Sequence, residues 1–219
     1  MSRFDVTPRN RVRRLAEKAS YDEAAVFAVL DAGFVAHVAF VDRGQPVVIP
    51  MLYARDGGRL LLHGAGKARI AKLLASGAAA CANVTLVDGI VLARSAFNSS
   101  LNYRSAVVFG TTRVLDGEEE RLLALRAISE HVFPGRWAEL RPPAPHELRM
   151  TAVIELPIES ASAKVAVGPP QDDEADYALP IWAGVVPVAT TLGQPEADAR
   201  VAPGTLPSPA ALALAGRRL

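Results

Sequence analysis

Cysteine is almost missing from this chain: Cys81 stands alone in 219 residues. No internal disulfide framework can form, and the chain suits a reducing compartment. Aromatic residues are scarce at 6 %, although half the residues are hydrophobic. Much of that half is alanine, so the expected core is large enough to fold but thin in rings. Long apolar runs are also missing. Nothing approaches the roughly 18 residues of a membrane span, and the first twenty residues contain no apolar stretch of signal-peptide length. Charge of one sign is not in excess either. The formal net charge of +1 gives no bulk attraction to nucleic acid or to an anionic membrane. These absences lead to the expectation of a soluble cytoplasmic protein.

Several familiar sites are missing as well. Gly64-Ala65-Gly66-Lys67 has the ending of a Walker A loop. Leu61, however, stands where the first glycine belongs, and Ala68 stands where Ser or Thr should meet magnesium. A Rossmann fingerprint fails because Arg69 occupies the place of its third glycine. His146-Glu147 begins like a zinc-protease helix, but Met150 replaces the second histidine. No Gly-x-Ser-x-Gly elbow is present. Four histidines and one cysteine, scattered along the chain, predict no metal site.

What is present is a succession of short β-rich runs broken by turn residues. A basic stretch at 11–19 has short-helix character. Ser20 and Glu23 have capping-box spacing before a helix that Gly33 should stop. Phe34 to Val41 and Gln45 to Tyr53 read as a hairpin around Asp42-Arg43-Gly44. Arg55 to Arg59 forms a second turn before Leu60 to His63. The Gly64 to Gly66 breaker precedes an expected helix from Lys67 or Ala68 to Ser76. Ala80 to Val87 and Ile90 to Arg94 read as a second hairpin turning at Asp88-Gly89. Ser105 to Leu115 is a long strand, 117–131 a helix, and Thr151 to Pro157 and Ala161 to Val167 close the pattern. The reading is a mainly β fold with inserted helices: about six or seven antiparallel strands of Greek-key type, closed into a barrel that removes exposed edges. It assigns 1–168 to the barrel with its N-terminal helices, 169–203 to an extension packing on barrel or partner, and 204–219 to a mobile tail.

One segment carries chemistry. From His63 through Gly64, Ala65, Gly66 and Lys67 to Arg69 and Lys72, a strand ends, glycines permit a turn, and a helix begins among cations. Helix N-termini favour anions through free amides, and cations add charge-assisted bonds. The segment reads either as a monophosphate site or as an ordinary strand–turn–helix with solvated basic residues.

The wider pattern resembles a known family. Pro50-Met51-Leu52-Tyr53, His63-Gly64-Ala65-Gly66-Lys67, Asp88-Gly89 with Arg94-Ser95-Ala96-Phe97, Asn102-Tyr103-Arg104-Ser105, Pro134-Gly135-Arg136-Trp137 and Trp182-Ala183-Gly184-Val185-Val186-Pro187 occur in that order. Together they are similar to the pyridoxamine 5′-phosphate oxidase-like FMN-binding split β-barrel proteins, in the branch with nitroimidazole-resistance flavoproteins. The resemblance runs from about Arg11 to about Pro187.

The resemblance implies a homodimer with FMN at the subunit interface. By it, Ile49, Pro50, Met51 and Tyr53 would line the isoalloxazine. His63, Gly64, Ala65, Lys67 and Arg69 would hold ribityl and phosphate, Asn83 and Thr85 would face the same site, and Trp182 would pack near the flavin from the other subunit. Each of these side chains also has a purely structural reading, and Cys81 reads as a strand residue. Ala166 departs from the family, where an arginine is expected. No C-terminal arginine-rich signature is present, so vitamin B6 oxidation is not assigned. The implied activity is electron transfer from NADH or NADPH through FMN to a small acceptor. No side chain is required as acid, base or nucleophile. The alternatives are a flavin carrier or sensor without turnover, or a barrel holding haem or a deazaflavin, with His37 and His63 as the histidines for haem.

Overall fold

The computed structural model describes residues 2–67, 71, 74 and 77–218. Its centre is an antiparallel sheet of ten strands rather than the six or seven expected. These are β1 (Ala19–Ser20), β2 (Val35–Asp42), β3 (Gln45–Asp56), β4 (Arg59–Ala65), β5 (Ala79–Leu92), β6 (Ser100–Thr111), β7 (Arg113–Val114), β8 (Thr151–Pro157), β9 (Ser160–Ala166) and β10 (Gly184–Pro187). The order is β1-β9-β6-β5-β2-β3-β4-β8-β7, with β10 on β5. The additional strands are short edge pieces, two to four residues long, whose pairing no local periodicity announces.

The β2–β3 and β3–β4 hairpins form as expected. Arg43 and Gly44 both take positive φ at the first turn, where a two-residue connection demands it. The second expected hairpin does not form. Asp88-Gly89 is a bulge inside one continuous strand, β5, where the register against β6 slips between Val87 and Gly89. Bulge and turn share the same residue types, so the dipeptide misleads. The two halves of β5 then have different neighbours. Ala80 to Asn83 pair with β2, whereas Gly89 to Leu92 pair with β10.

Alternation along the strands builds the core. Ala36 and Val38 of β2, Tyr53 of β3, Leu60 and Leu62 of β4, and Val84 of β5 all point inward and are almost wholly buried. Helix α1 (Glu23–Ala32) adds Val26, Val29 and Leu30 to this cluster. The capping box expected at Ser20 is not made. Ser20 is held in β1 opposite Ala163, so the helix begins after Asp22. A second, smaller cluster lies on the other side of β3, β4 and β8. There Ala54, Leu61 and Val153 meet Ala124 and Ile128 of helix α2 (Glu118–Val132).

The barrel closes where the β8–β9 connection crosses β6. The Ile158 amide donates to Gly58 O and the Glu159 amide to Phe109 O. A Cβ on Gly110 would lie 2.0 Å from the Pro157 carbonyl oxygen, so only glycine admits this crossing. Beyond the barrel, residues 169–218 run as an extension. The segment from 204, expected to be mobile, includes a helix at Pro209–Leu214 capped by Ser208 and seated with Ala210 buried near Arg136–Glu139.

Candidate functional site

Strand register decides which expected site residues meet. His37 of β2 lies opposite Pro50 of β3 on one side and Asn83 of β5 on the other. All three are on the outward face of the barrel wall, because their neighbours Ala36, Val38, Met51 and Ala82 point to the core. Thr85 follows Asn83 on the same face, and its hydroxyl donates to Asn83 Oδ1 at 3.0 Å. Asn83 Nδ2 in turn donates to Ala106 O at 3.3 Å. His63 projects to this outer side as well, in step with Leu61 and opposite to Leu62. Four expected residues, Pro50, His63, Asn83 and Thr85, thus share one face across β4-β3-β2-β5, a width of about 15 Å at the usual strand spacing.

The remaining β3 residues face the other way. Met51 and Tyr53 are in the core, with Ile49 packed against it. Tyr53 is fully buried and its hydroxyl donates to Leu30 O, the carbonyl near the end of α1, at 2.5 Å. Burial, helped by the charge of Asp31, raises its phenol well above the ordinary value. Its ring also lies 5.5 Å from that of His131, whose Nε2 is 2.7 Å from Gly33 O. Gly33 itself is needed for close approach, since a Cβ there would meet Val84 Cγ1 at 2.6 Å.

At the end of β4, Gly64 and Ala65 remain in strand register with Ala152 and Thr151. Gly66 and Lys67 are in a turn, and the Gly66 amide donates to Met150 O at 2.7 Å; the helix expected from Lys67 or Ala68 to Ser76 lies largely outside the described residues. Lys67 is exposed, and among the described residues a Cβ on Gly64 would meet nothing within 4 Å. Arg69 and Lys72 lie outside the described residues. Burial lowers the His63 imidazole below its ordinary value, and among the described residues its buried Nδ1 has no hydrogen-bond partner.

Within its own chain Trp182 does not reach this face. It is 68 % exposed and sits against Gly184, which pairs with Leu92. Leu92 lies seven steps along β5 from Thr85, about 23 Å of strand.

The sequence reading omitted a groove that the structure supplies. Where β2 ends and β10 has yet to begin, Val84 to Asp88 of β5 border a cavity of about 330 Å³ with Gly33, Phe34 and Val188. Thr85 and Val35 connect it to the outer face. Arg104 lines it and is held by Asp88 through two bonds of 2.9 and 2.7 Å. A hairpin reading of β5 hides the groove. Among the described residues no group of histidine, cysteine and carboxylate side chains could hold a metal ion, and no helix is long and apolar enough to cross a membrane. The face offers apolar wall, amide and hydroxyl groups and flanking cations. It suits binding and orienting a planar anionic group rather than acid–base chemistry.

Comparison with known proteins accords with this arrangement. The flavocytochrome Anf3 from Azotobacter vinelandii is 39 % identical, with 95 % of this chain and 97 % of that chain covered at a TM-score of 0.89. The FAD and haem binding protein from Mycobacterium smegmatis is 38 % identical, with 91 % and 98 % covered at 0.87. A Bacteroides thetaiotaomicron protein assigned to 5-nitroimidazole antibiotic resistance shares the fold at 21 % identity, 67 % and 86 % coverage and a TM-score of 0.58. Comparison with curated proteins gives no match. The family described as pyridoxamine 5′-phosphate oxidase matches residues 22–165, more than half of the chain, and the protein belongs to this family of flavin-type split β-barrels.

Proposed function

We propose that this protein binds a flavin on the outer face of β3, β2 and β5 and serves in electron transfer. The observation that carries the reading is the convergence of Pro50, His63, Asn83 and Thr85 on one outer face, with Lys67 at its margin. Near full-length likeness to a flavocytochrome and to an FAD and haem binding protein supports it. A bound flavin supplies the redox chemistry. The chain's own residues bind and orient it: Pro50 offers an apolar surface, the Asn83 and Thr85 groups offer polar contacts, and Lys67 offers a cation to the ribityl phosphate. FMN is the flavin we favour, with NADH or NADPH as donor and a small acceptor. FAD carries the same ribityl phosphate, and acid release followed by chromatography tells the two apart. Lys67→Ala is expected to weaken flavin binding about tenfold or more while leaving the fold intact. Unchanged affinity in a fluorescence titration would overturn the phosphate assignment.

A second reading adds haem. It is favoured by the two relatives named for a cytochrome or for haem and by the buried, unpartnered His63 Nδ1. The absorbance spectrum of the purified protein separates the readings. Flavin alone gives its two near-visible bands, and haem adds an intense Soret band.

A further inference from the structure

The flavin face has a cationic margin that the reading above does not use. Residues 9–18 carry Arg9, Arg11, Arg13, Arg14 and Lys18 against one acid, Glu17. This arm is tied along β9 and β6. Asn10 Nδ2 donates to Ala161 O at 3.0 Å, the Val12 amide to Tyr21 Oη at 2.9 Å, and Lys164 Nζ to Arg14 O at 2.9 Å. The Arg9 guanidinium lies 5.9 Å from the centre of the Phe109 ring, and Phe109 neighbours Cys81 across β5 and β6. Its charge reaches the Cys81 thiol, drawing it down against the rise caused by burial. Lys164 is opposite Ser105, which is opposite Thr85. Two strand spacings, about 10 Å, therefore separate the arm's anchor from the candidate flavin face. Arg9, Arg11, Arg13 and Arg14 are exposed, and among the described residues none forms an ion pair.

We propose that this arginine arm is the docking surface for a small acidic one-electron carrier protein that reduces the bound flavin as a second donor beside the reduced nicotinamide, an inference that rests on the flavin reading. Four unpaired guanidiniums on an arm fixed along the barrel form a broad positive strip on a molecule of net charge +1. Such local charge steers an acidic partner to one place on the surface. Transient redox partners need only a small interface, so a charged strip beside the redox face suffices. The remainder of the chain, net acidic once the arm's cations are set aside, disfavours an extended nucleic acid, whose affinity comes from many phosphate contacts. Each reduced carrier gives up one electron and is itself oxidised. Two encounters supply the two electrons, with protons from solvent, that reduce one bound flavin fully.

The test uses the flavin-loaded protein and reduced flavodoxin as the acidic carrier, mixed without oxygen. The bimolecular rate should fall about tenfold between about 20 and about 300 mM salt. In the doubly reversed variant R11E/R13E it should fall about tenfold at low salt. Flavin content, thermal midpoint and reduction by dithionite should not change in that variant. A rate independent of salt, or equal in the two proteins, overturns the proposal. So does salt-sensitive capture of a single-stranded oligonucleotide by the arm with carrier reduction untouched. Failure to take up any flavin instead removes the flavin reading beneath it, and with it the proposal.

Discussion

At the scale of single residues, burial distinguishes side chains that bind from side chains that build. Tyr53 and His63 were singled out on the same grounds, yet Tyr53 closes the end of α1 from inside the core, while His63 stands on the outer side with an unpaired Nδ1. That nitrogen has a measurable consequence. Burial lowers the His63 pKa in the folded protein, so below the ordinary imidazole value of about 6.5 the unfolded chain binds a proton that the folded chain refuses. Stability therefore increases as pH rises through the window between the lowered value and about 6.5, and is complete above it. His63→Gln is expected to flatten the denaturation midpoint across that window, as urea titrations at a series of pH values would reveal. A variant with the wild-type pH slope would remove His63 as its source. A flavin group that accepts a bond from the ring should instead flatten the same dependence, since an acceptor favours the protonated imidazole and opposes the lowering by burial.

At the scale of elements, the decisive contacts link residues far apart in sequence. Gly110 illustrates this. Nothing near it in the chain distinguishes it from any strand glycine, but the Pro157 carbonyl passes where a side chain would be. Gly110→Ala is expected to destabilise the barrel by roughly 3 kcal/mol, read as a fall in thermal midpoint and in soluble yield; a neutral effect would mean that the closure tolerates displacement. The same distinction explains how much was legible beforehand. Hairpins β2–β3 and β3–β4 were readable because alternation and turn residues are local signals. The bulge at Asp88-Gly89 was not, because its residues are those of a turn and only pairing of Gly89 with Asn102 and Pro187 keeps the strand continuous. The capping box failed for a similar reason: β1 pairing with β9 overrides a local preference at Ser20. In the candidate site, Pro50, Asn83 and Thr85 are named by the family resemblance, and strand register sets them on one face. The groove beside Thr85 needed the split in β5, and therefore the fold, to become visible.

At the scale of the whole molecule, the apolar residues left outside are concentrated. Phe97 is 89 % exposed, Val167 85 % and Trp182 68 %, with Ile90, Leu92, Leu101 and Val165 exposed beside them. They occupy the distal half of β5, the start of β6, the end of β9 and the extension. A monomer rarely leaves so much contiguous apolar surface uncovered. A second copy is the occupant we propose, because it also resolves the position of Trp182, which is too far along β5 to reach Thr85 within its own chain. In a two-fold pair the same patch serves both protomers, and each tryptophan becomes free to approach the other's flavin face. Sedimentation velocity at micromolar concentration should therefore give a dimer. Phe97→Glu should shift it to monomer and lower flavin occupancy with it, whereas Trp182→Ala should lower occupancy while the dimer persists. A wild-type monomer holding a full complement of flavin would exclude the shared site, and leave the exposed patch to a different partner.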